Sequence, residues 1–356
     1  VLTEGVNGLG SQQALGGEIR VLPYSPKHKP LIVELLNVSL QRKLVGERDA
    51  AYWDWKHEQN PFGTSLLLLA ECDDKLVGLR AFMRWRLQVQ GRTIHAAKPV
   101  DSVTHPDYQR RGIFTRLTQQ ACELSRREGI QFLFNTPNDN SKPGYLKLGW
   151  QQVDALPLYV KPLRPLSTGW RLAGWKCGRK RIPEQQEFFR EEPIMAASMF
   201  GDAKAISQII ASLNDNRLGT ARSADFLRWR YCQHPHICYY VECVEGNSGL
   251  DGMLVYRTNF RQGLREIMID DILAANDRRE IVAELMRKLR SRVAAEYVLG
   301  HFSLNSAPGS HLRSLGFWKL PRRRISLVAR VLNEPVTPDP LLASSWSLCM
   351  GDLEGL

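Results

Sequence analysis

Gln109-Arg110-Arg111-Gly112-Ile113-Phe114 is the stretch on which the reading of this chain turns. Before it lies a strand-like run, Lys98-Pro99-Val100-Asp101-Ser102-Val103, and a turn at His105-Pro106-Asp107. After it, the run from Phe114 to Glu128 carries apolar Phe114, Leu117, Ala121 and Leu124 at helical spacing. A strand, a glycine turn and a helix N-terminus together form an anion site. The first helical N–H groups have no intrahelical partner, and the dipole there favours negative charge. Gly112 lets backbone approach a phosphate with no Cβ in the way. Arg110 and Arg111 can add charge-assisted hydrogen bonds. A pyrophosphate fits this description.

A second signature follows at Asn138-Asp139-Asn140-Ser141-Lys142-Pro143-Gly144-Tyr145-Leu146-Lys147-Leu148-Gly149-Trp150. In this order the two stretches resemble those of the GNAT acetyltransferase superfamily. The first is similar to its acyl-coenzyme A motif, Arg/Gln-x-x-Gly-x-Gly/Ala, through Gln109 and Gly112. Phe114 stands where the family usually has a small residue. The second is similar to Asn-x-x-Ala-x-x-x-Tyr-x-x-x-Gly-Phe, through Asn138, Ser141, Tyr145, Gly149 and Trp150. The resemblance implies acetyl-CoA, or another acyl-CoA, as co-substrate. Gln109, Arg110, Arg111, Gly112, Ile113 and Phe114 would then hold the pyrophosphate. The backbone of Val103 and Thr104 would follow the pantetheine arm, and Asn138 and Ser141 would steady it. Tyr145 would protonate the departing thiolate, which is what attack of an amine on a thioester requires. The amine must be neutral to attack. Asp101, on the strand entering the phosphate loop, is the better-placed base; the alternative for it is a carboxylate paired with a lysine or arginine. His105, next to Pro106, reads more readily as a turn residue.

The fold expected is α/β, in the α+β sense of a mixed, mostly antiparallel sheet flanked by helices. Strands are expected at Glu18–Val21, Leu66–Cys72, Leu76–Trp85, from Arg92 to Val103, at 131–135 and from Trp150 to Val160, and helices over Lys27–Arg42. The unit then recurs. Tyr52-Trp53-Asp54-Trp55-Lys56 parallels Phe226-Leu227-Arg228-Trp229-Arg230, Val100-Asp101 parallels Ile269-Asp270, and Asn138 with Gly149-Trp150 parallels Asn305 with Gly316-Phe317. In the recurrence Arg278-Arg279-Glu280-Ile281 stands for the phosphate loop and Leu312 for Tyr145. Two tandem GNAT-like domains are therefore expected: a tail over 1–17, a catalytic domain over 18–160, a basic linker over 161–192, a degenerate domain over 193–332 and a C-terminal tail over 333–356. The repeated Trp53, Trp55 and Lys56 read as architecture, with sugar stacking or substrate binding as the alternative. Trp346 to Asp352 could dock on a domain.

The chain's 356 residues suffice for two domains. It has no run long and apolar enough for a membrane span. Seven scattered cysteines are an odd number and suggest reduced thiols and a cytoplasmic protein. Cys232-x-His234-x-His236-x-Cys238 lacks the usual zinc spacing, so no metal is expected. The net charge is +11. Part of it is concentrated in Lys161–Arg181, which contains no acid, and in Arg322-Arg323-Arg324. Such clusters suit a solvated linker, an acidic carrier protein or a membrane surface. No nucleic-acid motif accompanies them. Three readings stand: an acyl-CoA-dependent N-acyltransferase acting on a small-molecule amine such as an amino sugar; an aminoacyltransferase of the peptidoglycan-bridge (Fem) type, or a carrier-protein-dependent acyltransferase; and a non-catalytic acyl-CoA-binding module.

Overall fold

The computed structural model describes residues 17–39, 48–176, 184–201, 203–213, 215–247, 249–333 and 335–353. The tail up to residue 16 and linker residues 177–183 lie outside the described residues, as do the side chains of 321–324. The strands are β1 (Arg20–Pro23), β2 (Leu66–Cys72), β3 (Lys75–Val89), β4 (Arg92–Thr104), β5 (Phe132–Asn135), β6 (Gln151–Pro162), β7 (Ile194–Met195), β8 (Gly219–Thr220), β9 (Tyr240–Gly246), β10 (Gly249–Arg261), β11 (Leu264–Ala274), β12 (Tyr297–His301) and β13 (Trp318–Val331). The α-helices are α1 (Lys29–Ser39), α2 (Ala50–Trp53), α3 (Ile113–Arg127), α4 (Lys142–Lys147), α5 (Pro165–Lys176), α6 (Ala196–Met199), α7 (Ala203–Ala211), α8 (Ala224–Tyr231), α9 (Arg279–Arg292) and α10 (Ala307–Ser314). None of the described helices is long and apolar enough to cross a membrane.

β2 shows why the sheet is covered on both faces. Leu67 and Leu69 enter one core, whereas Leu68 and Ala70 enter another. Alternate side chains of a strand point to opposite faces. An unbroken apolar run such as Leu66–Ala70 is what burial on both faces demands.

All strands join one mixed sheet in the order β1-β2-β3-β4-β5-β13-β6-β12-β11-β10-β9-β7, with β8 added beside β3. β4–β5 and β11–β12 are its parallel pairs. The boundaries read from the sequence assign β6 to the first segment and β13 to the second. In the sheet β13 lies between β5 and β6, and β6 lies between β13 and β12. The last strand of each segment thus pairs with the other segment.

The two ends of the sheet share a strand register and a pair of glycine–helix contacts. A Cβ on Gly78 would meet Ile113 at 2.7 Å, and one on Gly252 would meet Ile281 at 2.2 Å. These glycines let α3 and α9 lie close against the sheet. Gly78 pairs with Thr104 on β4, and Gly252 with Ala274 on β11. Both β4 and β11 contain a register shift, and Asp101 adopts φ 40° at the first. This register corrects two pairings drawn from the sequence. Asp101 corresponds to Asp271, not Asp270: His57 Nε2 meets Asp101 at 3.0 Å as the Tyr231 hydroxyl donates to Asp271 at 3.1 Å. Ile281 corresponds to Ile113, so Glu280 occupies the place before it.

Trp55 and Trp229 join the halves. Trp55 Nε1 donates to the Trp229 carbonyl at 2.8 Å, and Trp229 Nε1 donates to the Trp55 carbonyl at 2.7 Å. Their rings stack at 4.8 Å and 13°. Phe62, Trp85 and Phe226 continue the same core. The C-terminal segment docks into the molecule: Trp346, Leu348, Cys349, Met350 and Asp352 are buried.

Candidate active site

β4 and β5 pair through Ala96–Phe132 and Ala97–Leu133 only. β4 then runs on to Thr104, whereas Phe134 and Asn135 of β5 keep only their pairing to β13, so the two strands part beyond Ala97 and a wedge opens between them. Val103 and Thr104 pair on one side with Leu79 and Gly78 of β3. Their other strand edge faces the wedge.

At the mouth of the wedge stands the loop before α3. Arg110 adopts φ 62°, and Gly112, the N-cap of α3, adopts φ 75° and ψ 4°. That left-handed conformation strains any residue with a Cβ. The Arg116 N–H to Gly112 carbonyl bond at 3.0 Å closes the first helical turn. The N–H groups before Arg116 therefore precede the helical ladder, at the positive end of the dipole. A cradle of this kind fits a pyrophosphate. Gln109, Arg110 and Gly112 are exposed beside it. Arg111 is engaged elsewhere: its guanidinium donates to the Gly17 carbonyl at 2.8 Å and lies 5.4 Å from the Tyr108 ring. Ile113 is buried against Gly78, so only its backbone faces the cradle.

α4 carries the second signature across the wedge. The Ser141 N–H and hydroxyl both meet Asn138 Oδ1, at 2.9 and 3.0 Å. This brace sets the entry of α4 and commits that oxygen of Asn138. Tyr145 is buried beneath Phe114, ring edge to ring face at 5.7 Å and 84°. Phe114, unusual in the sequence motif, is thus the side chain joining the loop before α3 to Tyr145.

Arg80 completes this cluster. It is 1% exposed, and its guanidinium lies 4.5 Å from the Phe114 ring and 5.0 Å from the Tyr145 ring. Nη1 donates to the Ser102 hydroxyl. Neither sequence motif contains this arginine. The available signal was a charge inside the apolar run Leu76–Trp85.

Asp101 lies on the other side of β4. Its carboxylate pairs with Lys56 Nζ and with His57 Nε2, and His57 Nδ1 meets Ser65 Oγ at 3.0 Å. Lys56 and His57 project together from Asp54–Glu58, a π-helical turn. Such turns are uncommon and frequent at functional sites. Burial pushes the Asp101 carboxyl up, but the Lys56 ammonium and the His57 ring reverse this and hold it far below the usual carboxylate range. Burial pushes His57 down against the pull of Asp101. Asp101 is therefore one half of a buried ion pair rather than a free base. His105 accepts the Asp107 N–H at 3.3 Å and caps its turn.

His234 packs on Trp55 at 4.3 Å and His236 meets Asp49 at 3.2 Å. Among the described residues no group of three or more His, Cys, Asp or Glu could hold a metal.

Solved structures share this fold. A GCN5-related N-acetyltransferase from Anabaena variabilis ATCC 29413 is 13% identical with a TM-score of 0.63, covering 93% of this chain and 85% of that one. A conserved protein of unknown function from Enterococcus faecalis V583, given as a probable N-acyltransferase, is 13% identical with a TM-score of 0.62, covering 88% and 73%. A GCN5-related N-acetyltransferase from Kribbella flavida is 16% identical with a TM-score of 0.59, covering 90% and 72%. At these identities the likeness is one of fold. No curated protein matches the chain. The family model described as an acetyltransferase (GNAT) domain matches residues 23–153. That span holds the β4–β5 wedge, the left-handed glycine before α3 and Tyr145, so the GNAT acetyltransferase model matches the part of the chain that carries the candidate site.

Proposed function

We propose that the protein is an acyl-CoA-dependent N-acyltransferase that moves an acyl group, in the first instance acetyl, to a primary amine of a small molecule such as an amino sugar. The observation that carries this reading is the conjunction of the β4–β5 wedge with the Gly112 cradle at one end and Tyr145 at the other. The cradle holds the donor's pyrophosphate through backbone N–H groups. The free edge of Val103 and Thr104 accompanies the pantetheine. Tyr145 gives its proton to the departing sulfur as the amine nitrogen bonds to the acyl carbon. The amine's own proton leaves to solvent.

Asp101 serves the acceptor side by fixing Lys56 and His57 rather than by taking the amine's proton. A carboxylate held this firmly in its ionised form attracts an ammonium group better than it accepts a proton. Lys56 and His57 keep it oriented. The second half acts as a companion that shapes the molecule and binds no donor. Its loop spans six residues, 275–280, between Ala274 and Ile281, against eight, 105–112, between Thr104 and Ile113. It also places Glu280 in the first turn of α9, where a carboxylate already complements the dipole.

Calorimetric titration with acetyl-CoA tests the reading. One site per chain is expected. Gly112→Val should weaken it about tenfold or more, since a β-branched residue relaxes out of the left-handed conformation and about 1–2 kcal/mol must be returned to re-form the cradle on binding. No binding by the unaltered chain would sink the reading. Unchanged affinity in the variant would remove the cradle from it.

A further inference from the structure

Arg80 is the least compensated charge near the wedge. Its Nε and Nη2 are buried and have no hydrogen-bond partner among the described residues. Its neighbours are rings: Phe114, Tyr145 and Phe82, the last at 5.5 Å. Ser102, which takes Nη1, is neutral. No carboxylate forms an ion pair with it among the described residues. Burying an unpaired guanidinium costs several kcal/mol, and rings return only part of that. The second half shows what the position holds without this demand. Gly78 corresponds to Gly252, so Arg80 corresponds to Leu254, Phe114 to Val282 and Tyr145 to Leu312. All three are fully buried members of one apolar core. The fold thus accepts leucine at this position. The half with the Gly112 cradle carries an arginine there, directly against Tyr145.

We propose that Arg80 is a catalytic residue whose free guanidinium N–H groups face the thioester end of the donor and stabilise the thiolate as it leaves. The reaction forms the amine nitrogen–acyl carbon bond and breaks the carbon–sulfur bond, whose electron pair goes to sulfur. Arg80 balances that negative charge through hydrogen bonds until the Tyr145 hydroxyl delivers its proton. The cation is preorganised in a site walled by rings, where charge stabilisation is strongest. The proposal rests on the donor being a CoA thioester.

The test uses the whole chain with CoA as the bound probe. The thiol is titrated by its ultraviolet thiolate absorbance, subtracting the complex with desulfo-CoA to cancel the protein's own thiols. The bound thiol should ionise at least about tenfold more readily than free CoA, a pKa lower by about one unit. Arg80→Leu, the residue of the second half, should abolish this shift, with CoA affinity below the thiol pKa changing less than about threefold. Arg80→Lys should retain part of it. An unshifted thiol in the unaltered protein overturns the proposal without any variant. So does an equal shift in Arg80→Leu. A loss in Arg80→Leu of preference for donors with a carboxylate-terminated acyl group, with the thiol unmoved, would reassign Arg80 to acyl recognition. Failure of the unaltered protein to bind CoA would instead overturn the donor assignment beneath the proposal.

Discussion

The corner where β4 meets α3 and the corner where β11 meets α9 share one plan and are filled differently. In each, a strand with a register shift leads into a helix seated on a glycine, Gly78 or Gly252. In each, an aspartate at the shift is bonded by an aromatic side chain, His57 or Tyr231. The second corner is filled by Leu254, Val282 and Leu312. The first places Arg80, Phe114 and Tyr145 at the same positions and adds two residues and a left-handed glycine to its loop. Packing alone therefore needs none of the polar groups at the first corner. Their presence there agrees with the proposed chemistry, because a buried cation with no carboxylate beside it among the described residues opposes stability.

The largest effect expected concerns whether the halves can be separated. A fragment of residues 18–160 loses β13, the strand between β5 and β6. β5 and β6 then present open edges, which promote aggregation. The fragment should show no cooperative thermal unfolding by circular dichroism and should not run as a compact monomer in size exclusion. A folded monomeric fragment would show the first half to be self-sufficient.

Trp55→Ala and Trp229→Ala come next. Each removes a stacked ring and one of the two reciprocal hydrogen bonds, at a cost of about 3–5 kcal/mol. Denaturant unfolding should give similar losses for the two. A markedly smaller loss for one would break the symmetry of the contact.

Tyr145→Phe should lower kcat by about 10²-fold with little change in donor affinity, read by steady-state kinetics beside calorimetry. Equal turnover at every pH would mean that Tyr145, like Leu312, only packs.

The smallest effect involves Lys98, whose register counterpart is Met268. Lys98 Nζ donates to the Asp352 carbonyl at 2.5 Å and lies 4.4 Å from the Trp85 ring. Burial lowers its pKa to about 7, against the opposing pull of Asp352. The unfolded chain holds this proton up to about pH 10.5. Below pH 7 both states are charged and the fold bears the full burial penalty. Above pH 7 the folded group is neutral while the unfolded one remains charged, so this penalty declines as pH rises towards 10.5. Relative to the unaltered protein, Lys98→Met should be more stable at pH 6 than at pH 9 in denaturant unfolding. A difference independent of pH would mean that Lys98 does not titrate in this range.

Much of the first corner was legible in the chain because its signals are local. Gly112 and the helical spacing after it are consecutive in sequence, and α3 begins at Ile113, one residue ahead of the expected start. Asn138 and Ser141 also mark the entry to α4, although they bond each other there. Arg111 and Asp101 were legible as positions but not in their bonds. Gly17, Lys56 and His57, which engage them, come from elsewhere in the chain. The same distance misled the matching of the halves: Asp270 and Asp271 are consecutive, and only the pairing with the neighbouring strand shows which of them matches Asp101.

By itself, then, the sequence determined the strand–loop–helix corner, the left-handed glycine and the tyrosine helix, because backbone preference and side-chain periodicity act over a few neighbouring residues. Only the tertiary structure decided that β13 enters between β5 and β6, that Trp55 and Trp229 clasp each other, and that Arg80 stands unpaired against Tyr145. Each of these joins segments far apart in the chain, and their pairing depends on the register and closure of the whole sheet.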